Sequence, residues 1–347
     1  MPLVVIYEEV KEEYQKAAEL GVALPVFCAE DRETLEAILA SAFEFGKEIG
    51  VDNLPIIPAW TSRYPGRAQM TLMTACGEPY LGTQLMLSDL KILTGDHSPY
   101  RKLRVMPHLD HAFPWLDGDI LSDFVDEFAS VMFDASEKPF NKNIQLTAEY
   151  VQKVKGQVVV EGAVDEIFEM SGKEMKNELT TLENARQFLH ETGVDILVPN
   201  VGTEHRSTAN KVSYQSERAR DISSVLGTIL CLHGTSSLRW DELHKLPGDG
   251  FVKINIYTTL AVHGGQAVAA KVIDNLGNIF NETQLKALIK QHILREKVLS
   301  PDYGETKISI KPKLNQVANP LRRDAWFTAV KNRCKEFLEV LNYKNYA

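Results

Sequence analysis

Three short polar runs that contain histidine directly follow apolar segments of the chain. They are His108-Leu109-Asp110-His111, Gly202-Thr203-Glu204-His205 and His233-Gly234-Thr235-Ser236. Imidazole nitrogens are zinc ligands, and three of them with one open position are the usual composition of a catalytic zinc site. Asp110 stands directly beside one of these histidines, where its carboxylate could move a proton to or from a bound substrate. The runs therefore predict metal-assisted acid–base chemistry.

The elements that must position these runs are parallel strands. Segments such as 158–160 and 229–232 are continuous apolar runs, which are typical of strands buried on both faces. Eight strand–helix alternations favour a closed (β/α)8 TIM barrel over an open sheet, and no strand is followed by the G-x-G-x-x-G pattern of dinucleotide folds. The predicted strands are 22–29, 54–60, 103–109, 130–134, 157–164, 195–201, 228–232 and 251–258.

The length of the chain suits a single barrel with additions at both ends. Barrels of this kind routinely use about 250 residues or more, and this chain has 347. We expect one domain over residues 1–347, with an N-terminal helix over 7–20 and a C-terminal helical extension over 301–347. Apolar positions in the last helix could form the interface of a homo-oligomer; they include Phe337, Leu338 and Leu341.

Composition excludes several classes of function. The formal net charge is −9 with no basic stripe, so we expect no nucleic-acid partner. No run of about 18 apolar residues is present, so we expect no membrane partner. Residues 1–13 carry four glutamates and one lysine, opposite in sign to a signal peptide, and four separated cysteines suit reduced thiols. These features predict a cytoplasmic enzyme.

Strand alternation sets a condition on the first polar run. Catalytic groups of a barrel lie at the C-terminal ends of its strands. Asp110 and His111 are neighbours, so a continuing strand would point them to opposite faces. Both reach one site only if the strand has ended before them. His108 shares a face with Asp110, and we interpret it as a core histidine or one that supports a ligand rather than as a ligand itself.

The resemblance of the chain to a known family rests on segments 105–111, 130–136, 192–197, 201–205, 232–236 and 252–255. In these segments the sequence resembles the class II, metal-dependent ketose-bisphosphate aldolases, which include fructose- and tagatose-bisphosphate aldolases. The segments occur in family order, and the resemblance covers roughly residues 22 to 300. It implies the TIM-barrel fold, a homodimer or larger homo-oligomer, and a sugar phosphate substrate.

The resemblance also implies roles for individual residues. His111, His205 and His233 match the ligands of one Zn²⁺ per chain, and Asp110 matches the aspartate that exchanges a proton with the aldehyde-derived hydroxyl. Asp134 and Glu161 match carboxylates near the metal. Positions implied in phosphate or substrate binding, near which a monovalent cation could bind, are Thr61, Gly202, Arg206, Gly234, Thr235, Ser236, Asn255 and Thr258.

The implied activity is the reversible aldol cleavage of a ketose phosphate or bisphosphate to dihydroxyacetone phosphate and an aldehyde. Cleavage leaves a carbanion beside a ketone, which is stable only as an enediolate, and zinc would stabilise it as a Lewis acid. A Schiff-base mechanism would need a buried lysine. Lys253 is the one inviting candidate, and we interpret it as a structural or surface residue.

The sequence departs from the family around the substrate. Ala163 replaces a second glutamate two residues after Glu161, and Arg206 and Ser237 replace glycines. An arginine at position 206 could clamp a phosphate or a carboxylate, or block the pocket. In the following loop the candidate proton donors are Glu166, Glu169, Glu174 and Glu178.

These departures leave alternatives to the implied activity. One is an aldolase for a non-phosphorylated or carboxylated ketose. Another is a zinc-binding barrel that has lost aldol activity and acts as a binding or regulatory protein. A metal-dependent hydrolase is less favoured, because the first strand ends in Cys28-Ala29-Glu30 and lacks the usual His-x-His pair.

Overall fold

Eight short parallel strands close into a barrel in the computed structural model, which describes residues 3–166, 179–203, 214–300, 303, 308–311 and 319–347. The described residues form nine strands, eight in the ring and the short β3 beside it. They are β1 (Leu24–Cys28), β2 (Pro55–Thr61), β3 (Arg104–Val105), β4 (His108–Ala112), β5 (Ser130–Phe133), β6 (Val159–Ala163), β7 (Ile196–Val198), β8 (Leu230–Leu232) and β9 (Phe251–Ile256). β1 pairs in parallel with both β2 and β9, which closes the barrel. The two-residue strand β3 pairs with the start of β2, its Val105 also bridges to Leu3, and the strand lies outside the ring. The predicted (β/α)8 fold is confirmed.

Helices connect the strands along the chain. They are α1 (Tyr7–Glu19), α2 (Arg32–Ile49), α3 (Gln69–Leu72), α4 (Pro79–Leu93), α5 (Gly118–Asp123), α6 (Phe140–Lys153), α7 (Leu182–Thr192), α8 (Ser216–Leu226), α9 (Thr258–Asp274), α10 (Leu276–Ile279), α11 (Glu282–Lys290) and α12 (Asn319–Val340). Local chemistry sets their ends. At the start of α2, the Asp31 side chain accepts a hydrogen bond from the backbone amide of Thr34 at 2.8 Å. The helix ends at Gly50, which has a left-handed φ of 78°. No helix within the described part of the chain is long and apolar enough to span a membrane.

The strands of the ring are buried on both faces, between the barrel interior and the helices. The β6 strand shows this division. Glu161 and Ala163 share one face, while Gly162 faces α7 and the residues that follow it. An added Cβ there would meet Phe188 of α7 at 3.0 Å and Val194, just after α7, at 2.9 Å. Gly162 therefore allows α7 to approach the sheet closely.

α1 lies at the N-terminal end of the barrel. The hydroxyl oxygen of Tyr14 lies 3.4 Å from that of Ser130, the first residue of β5. Tyr7 donates its hydroxyl to Asp195 at 2.7 Å, immediately before β7 begins. This leaves the opposite end of the barrel, where the polar runs lie, open to a ligand.

The chain divides into two compact units. The first comprises Met1–Thr258 and Cys334–Ala347 and contains the barrel, and the second comprises Thr259–Arg333. The second has an apolar core of its own around Leu276, Leu285 and Val298. The single domain over residues 1–347 stays a prediction.

The apolar residues at the end of α12 are buried within the first unit. Phe337, Leu338 and Leu341 are at most 2% exposed, and the ring centroid of Phe337 lies 6.1 Å from that of Phe27. These side chains therefore pack inside the chain and are not exposed for contact with a second subunit.

Asn143 holds the C-terminal end of β6, which suggests a test of how the barrel rim is stabilised. Its side-chain amide donates to the Ala163 carbonyl at 2.8 Å, and the residue is 1% exposed. We expect Asn143→Ala to lower the free energy of unfolding by about 1–3 kcal/mol, because a buried carbonyl loses its donor. Urea or thermal unfolding measures the change. Gln145→Ala, on the exposed face of the same helix, is the control, and equal losses in both variants would contradict this role.

Candidate active site

A bulge in β4 brings Asp110 and His111 to the same end of the barrel. The strand does not end before Asp110, as strand alternation seemed to require; it continues to Ala112. Its register with β5 shifts between Leu109 and Ala112, and His111 adopts a left-handed φ of 45°, which is uncommon for a residue with a side chain. A bulge re-aims a side chain in this way next to many active sites. Both side chains consequently line one cleft.

Two imidazoles in this cleft are oriented by buried carboxylates. His111 Nδ1 lies 2.7 Å from an oxygen of Asp134, and His233 Nε2 lies 2.9 Å from an oxygen of Glu161. Because a carboxylate accepts hydrogen bonds, these two nitrogens carry the protons. His111 Nε2 and His233 Nδ1 remain and face each other at 3.1 Å.

This arrangement fits a divalent metal. Two nitrogens bound to one tetrahedral zinc lie about 3.3 Å apart, close to the separation observed here. A ligand atom from each of Asp110, His111 and His233 lies within 4.8 Å of the others. Metal-binding histidines usually donate their second N–H to a carboxylate, as both of these do. The two imidazoles and their carboxylates therefore have the chemistry of a metal centre.

Charges around the cleft favour the protonation states that bind a metal. Burial raises the pKa of Asp134 and Glu161, but hydrogen bonds and nearby positive groups lower both below their ordinary values, so both are carboxylates. Burial lowers the pKa of His233 and outweighs the opposing effect of Glu161. His233 is therefore neutral at pH 7, and a neutral imidazole is the form that binds a metal.

Lys253 and His108 lie inside the barrel below these imidazoles. Lys253 forms an ion pair with the second oxygen of Glu161, and its ammonium nitrogen lies 3.0 Å from His108 Nε2. Burial would lower the pKa of Lys253, but Glu161 raises it above its usual value. A Schiff-base lysine must be neutral to attack, so Lys253 is a buried structural cation and not a surface residue.

His108 is a core histidine. Its Nδ1 lies 3.0 Å from the carbonyl of Ser130, and the residue is fully buried. Burial, and then the charge of Lys253, lower its pKa to about 3. His108 contacts the ammonium group of Lys253 and does not line the cleft.

Asp110 is held by Asn255, by Arg67 and by the thiol of Cys28, which lies 3.6 Å from the same oxygen that Arg67 binds. Asn255 donates to one oxygen of the carboxylate at 2.8 Å, and the guanidinium of Arg67 forms an ion pair with the other. Burial alone would raise the pKa of Asp110, but His111 and Arg67 hold it well below its ordinary value. Asp110 is therefore charged and able to accept a proton.

Sequence reasoning missed Tyr64, Tyr257 and Arg67, which also line the cleft, and of these Arg67 is the charged residue. It lies in the loop between β2 and α3, in no motif or ligand spacing. The one available signal was its place after the C-terminal end of a barrel strand, where loops carry functional groups.

A second group of residues lines the cleft with small polar side chains and backbone. Gly234, at a left-handed φ of 74°, precedes a short 3₁₀ turn over Thr235–Ser237. The hydroxyl of Ser237 donates to the Gly234 carbonyl at 2.7 Å, which accommodates a serine where the family has glycine. α9 begins at Thr258, and the first amides of a helix favour anions. The members of this group are Gly234, Thr235, Ser236, Asn255 and Thr258.

Other predicted site residues lie apart from the described cleft. The hydroxyl of Thr61 donates to the backbone carbonyl of Arg67, so in this structure Thr61 shapes the loop instead of lining the cleft. The amide of Gly202 donates to the Asn200 side chain at 3.0 Å. His205 and Arg206 lie outside the described residues, as do Glu169, Glu174 and Glu178. Glu166 is exposed, and partial burial of its carboxyl together with Glu137 and Asp134 raises its pKa.

Comparison with known proteins shows the family to which the chain belongs. Residues 8–345 match the model of the family described as class II fructose-bisphosphate aldolase. The chain is 27% identical over 252 residues to the D-tagatose-1,6-bisphosphate aldolase subunit GatY of Klebsiella oxytoca. That alignment covers 71% of this chain and 80% of the relative.

Solved structures share the fold. The fructose-bisphosphate aldolase of Campylobacter jejuni superposes with a TM-score of 0.73 at 18% identity, covering 99% of this chain and 97% of that one. The YdjI aldolase of Escherichia coli K12 superposes with a TM-score of 0.64 at 19% identity, covering 96% of each chain.

Removal of the Asp134 charge tests the orientation of His111. We expect Asp134→Asn to weaken Zn²⁺ affinity about 10- to 100-fold, because His111 loses the carboxylate that fixes its ring and its proton. Competition with a chromophoric chelator measures the affinity. Asp119→Asn, which changes an aspartate paired with Arg63, is the control. Equal affinity in the two variants would show that Asp134 does not orient the ligand.

The buried His108 predicts a loss of stability in acid. Its folded-state pKa of about 3 lies below the value of about 6.5 in an unfolded chain, so between these values only the unfolded chain binds the proton. The contribution of neutral His108 to the free energy of unfolding is complete above about pH 6.5. It decreases as the pH falls, and at pH 5 it is lower by about 2 kcal/mol. Urea unfolding of wild type and His108→Gln at pH 7 and pH 5 measures it. His190→Gln, at an exposed histidine, should retain the wild-type loss; a His108→Gln variant with the same loss would refute the assignment.

Proposed function

Because the chain belongs to the class II fructose-bisphosphate aldolase family and is an aldolase, we propose that it cleaves a ketose phosphate reversibly into dihydroxyacetone phosphate and an aldehyde with the help of a bound divalent metal. The observation that carries this proposal is the pair of carboxylate-oriented imidazoles, His111 and His233, whose facing nitrogens lie 3.1 Å apart beside Asp110.

The proposed metal is one Zn²⁺ per chain. His111 and His233 would hold it together with His205, which follows β7 in the sequence. Bound metal supplies Lewis-acid stabilisation of the negative charge that develops as the carbon–carbon bond breaks. The remaining chemistry comes from residues of the chain.

Asp110 is the proposed base for cleavage. Its carboxylate would accept the proton of the hydroxyl on the carbon that becomes the aldehyde, and would return that proton in the condensation direction. Asn255 fixes one carboxylate oxygen at 2.8 Å, so the oxygen that would accept the proton is the other one, which is paired with Arg67 in the structure. The charge on Asp110 supports this role, since only the deprotonated form can accept.

The phosphate of dihydroxyacetone phosphate would lie in the group formed by Gly234, Thr235, Ser236, Asn255 and Thr258. Hydroxyls and the first amides of a turn and of a helix are typical donors to phosphate. Thr61, Gly202 and Arg206 remain proposed contributors to substrate binding, and a monovalent cation near the phosphate remains a proposal. The family resemblance alone supports a homodimer or larger homo-oligomer.

A second candidate function is metal binding without aldol turnover. Two observations favour it: Ala163 occupies the position of a second carboxylate, and Arg67 is paired with the proposed base. In that case the barrel would bind a sugar phosphate or act in regulation, and Asp110 would have no catalytic effect.

Proton exchange into dihydroxyacetone phosphate distinguishes the two candidates. We expect zinc-loaded protein in D₂O to replace a C3 proton of this compound, because the metal and the phosphate site act before any aldehyde is needed. Proton NMR follows the exchange, and chelated protein is the control. No exchange from protein that carries one zinc per chain would reject dihydroxyacetone phosphate as the donor and favour the binding function.

Substitution of the base tests the cleavage step separately. We expect Asp110→Asn to reduce cleavage of a ketose phosphate by about 10²- to 10⁴-fold, because the amide cannot accept the hydroxyl proton. Coupled detection of released dihydroxyacetone phosphate measures the rate, with Asp119→Asn as the matched control outside the cleft. Similar rates in Asp110→Asn and wild type would assign the base elsewhere.

A further inference from the structure

Helix α4 has a second apolar face in addition to the one that is buried within the chain. The buried face includes Met86, Leu87 and Leu90. On the outer face, four exposed positions are spaced by four, three and four residues, and we call them the α4 seam: Leu81, Leu85, Ser88 and Ile92. Exposed apolar residues that recur with this spacing are typical of a helix that packs against another helix.

The exposed apolar surface extends beyond α4. Leu72, at the end of α3, is 80% exposed, compared with 41% for Leu81 on α4. The two helices approach closely where they cross, since a Cβ added to Gly82 would lie 2.0 Å from the carbonyl oxygen of Met70. None of the seam residues lines the described cleft. A partner on this surface would therefore bury apolar side chains of two helices outside the cleft.

The charges on α4 favour one direction of packing. Between Leu81 and Ile92 the exposed side of the helix carries one charged residue, Lys91, which pairs with Glu127 of the same chain at 2.8 Å. A parallel neighbouring α4 would place a second Lys91 beside the first, and like charges repel. An antiparallel α4 places the neutral Gln84 opposite Lys91 and sets the two helix dipoles in opposite directions.

The α4 seam is also complementary to itself. In an antiparallel pair, Leu81 of one helix faces Ile92 of the other. In the same register Leu85 faces Ser88, and the small serine gives the leucine room. All four seam positions then have a partner, and a two-fold axis produces each contact twice, as in the isologous interface of a symmetric dimer. The partner that fits the seam is therefore a second copy of the same helix.

We propose that a second copy of this chain docks on the α4 seam, with the two α4 helices antiparallel around a two-fold axis. The apolar end of α12 is buried within the chain and does not supply such an interface. With 15 residues, α4 is about 22 Å long, and a helix pair of this length forms a small interface. We therefore expect a dimer with a micromolar Kd. The inference does not rest on the proposed function, because the α4 seam is separate from the cleft.

The first test places a charge in the seam. Leu85→Lys brings an ammonium group into the interface twice, once from each copy, so we expect the Kd of the dimer to rise at least about 100-fold. Sedimentation equilibrium of the full chain measures the mass from about 1 to 100 µM, a range that spans a micromolar Kd. Val225→Lys is the matched control, because Val225 is an exposed apolar residue on another helix, α8. This control should keep the wild-type mass.

The second test cross-links the two helices. The double variant Leu81→Cys/Ile92→Cys should form a covalent dimer on oxidation, because position 81 of one copy faces position 92 of the other. Cys76→Ser removes the exposed native thiol from the background. The two single variants are the controls. They should stay uncross-linked, because the rise of α4 between positions 81 and 92, about 16 Å, separates each cysteine from the same cysteine of the other copy.

The outcomes distinguish this inference from the proposed function, because mass and proton exchange are measured separately. A wild-type chain that is monomeric at about 100 µM rejects the inference, since a micromolar dimer would form at that concentration. A dimer that persists in Leu85→Lys, or that is lost equally in Val225→Lys, also overturns it. If Leu85→Lys fails to fold, the cysteine variants decide. A cross-link only in the double variant supports the antiparallel pair, whereas cross-links in a single variant, or in none, contradict it.

Discussion

The carboxylate of Glu161 lies fully buried inside the barrel, and the candidate metal centre depends on how its charge is balanced. An isolated buried carboxylate is very unfavourable, but Lys253 pairs with one of its oxygens. The other oxygen then orients His233 at 2.9 Å. The ion pair therefore offsets the cost of burying Glu161. It also fixes the carboxylate that orients the His233 imidazole, and so it sets the separation between His233 and His111.

The architecture and much of the site follow from patterns in the sequence. Apolar runs predicted eight buried parallel strands, and polar residues at strand ends predicted that Asp110, His111 and His233 would meet. The bulge in β4 could not be predicted in this way, because it depends on the register between β4 and β5, which is a tertiary property. Arg67 was missed for a related reason. Its place in the cleft depends on the path of a loop that Thr61 and Gln69 hold through hydrogen bonds.

Two departures from the family pattern have local structural explanations. Ser237 binds the carbonyl of Gly234 and so replaces a glycine without disturbing the turn. Ala163 leaves Glu161 as the carboxylate that β6 contributes, and Lys253 balances a single negative charge there. The departures thus change the surroundings of the substrate while the oriented imidazoles persist.

A continuous line of polar contacts runs through the barrel from its closed end to its cleft. Its members, in order, are Tyr14, Ser130, His108, Lys253, Glu161, His233, His111 and Asp134. Each group from Tyr14 to His233 forms a hydrogen bond or an ion pair with the next, whereas the facing nitrogens of His233 and His111 both lack a proton and would be joined by a bound metal. A change of one member therefore leaves a buried polar atom at the next position. These positions therefore depend on one another energetically: a substitution at Tyr14, far from the cleft, disturbs the line of contacts that orients the imidazoles at the other end.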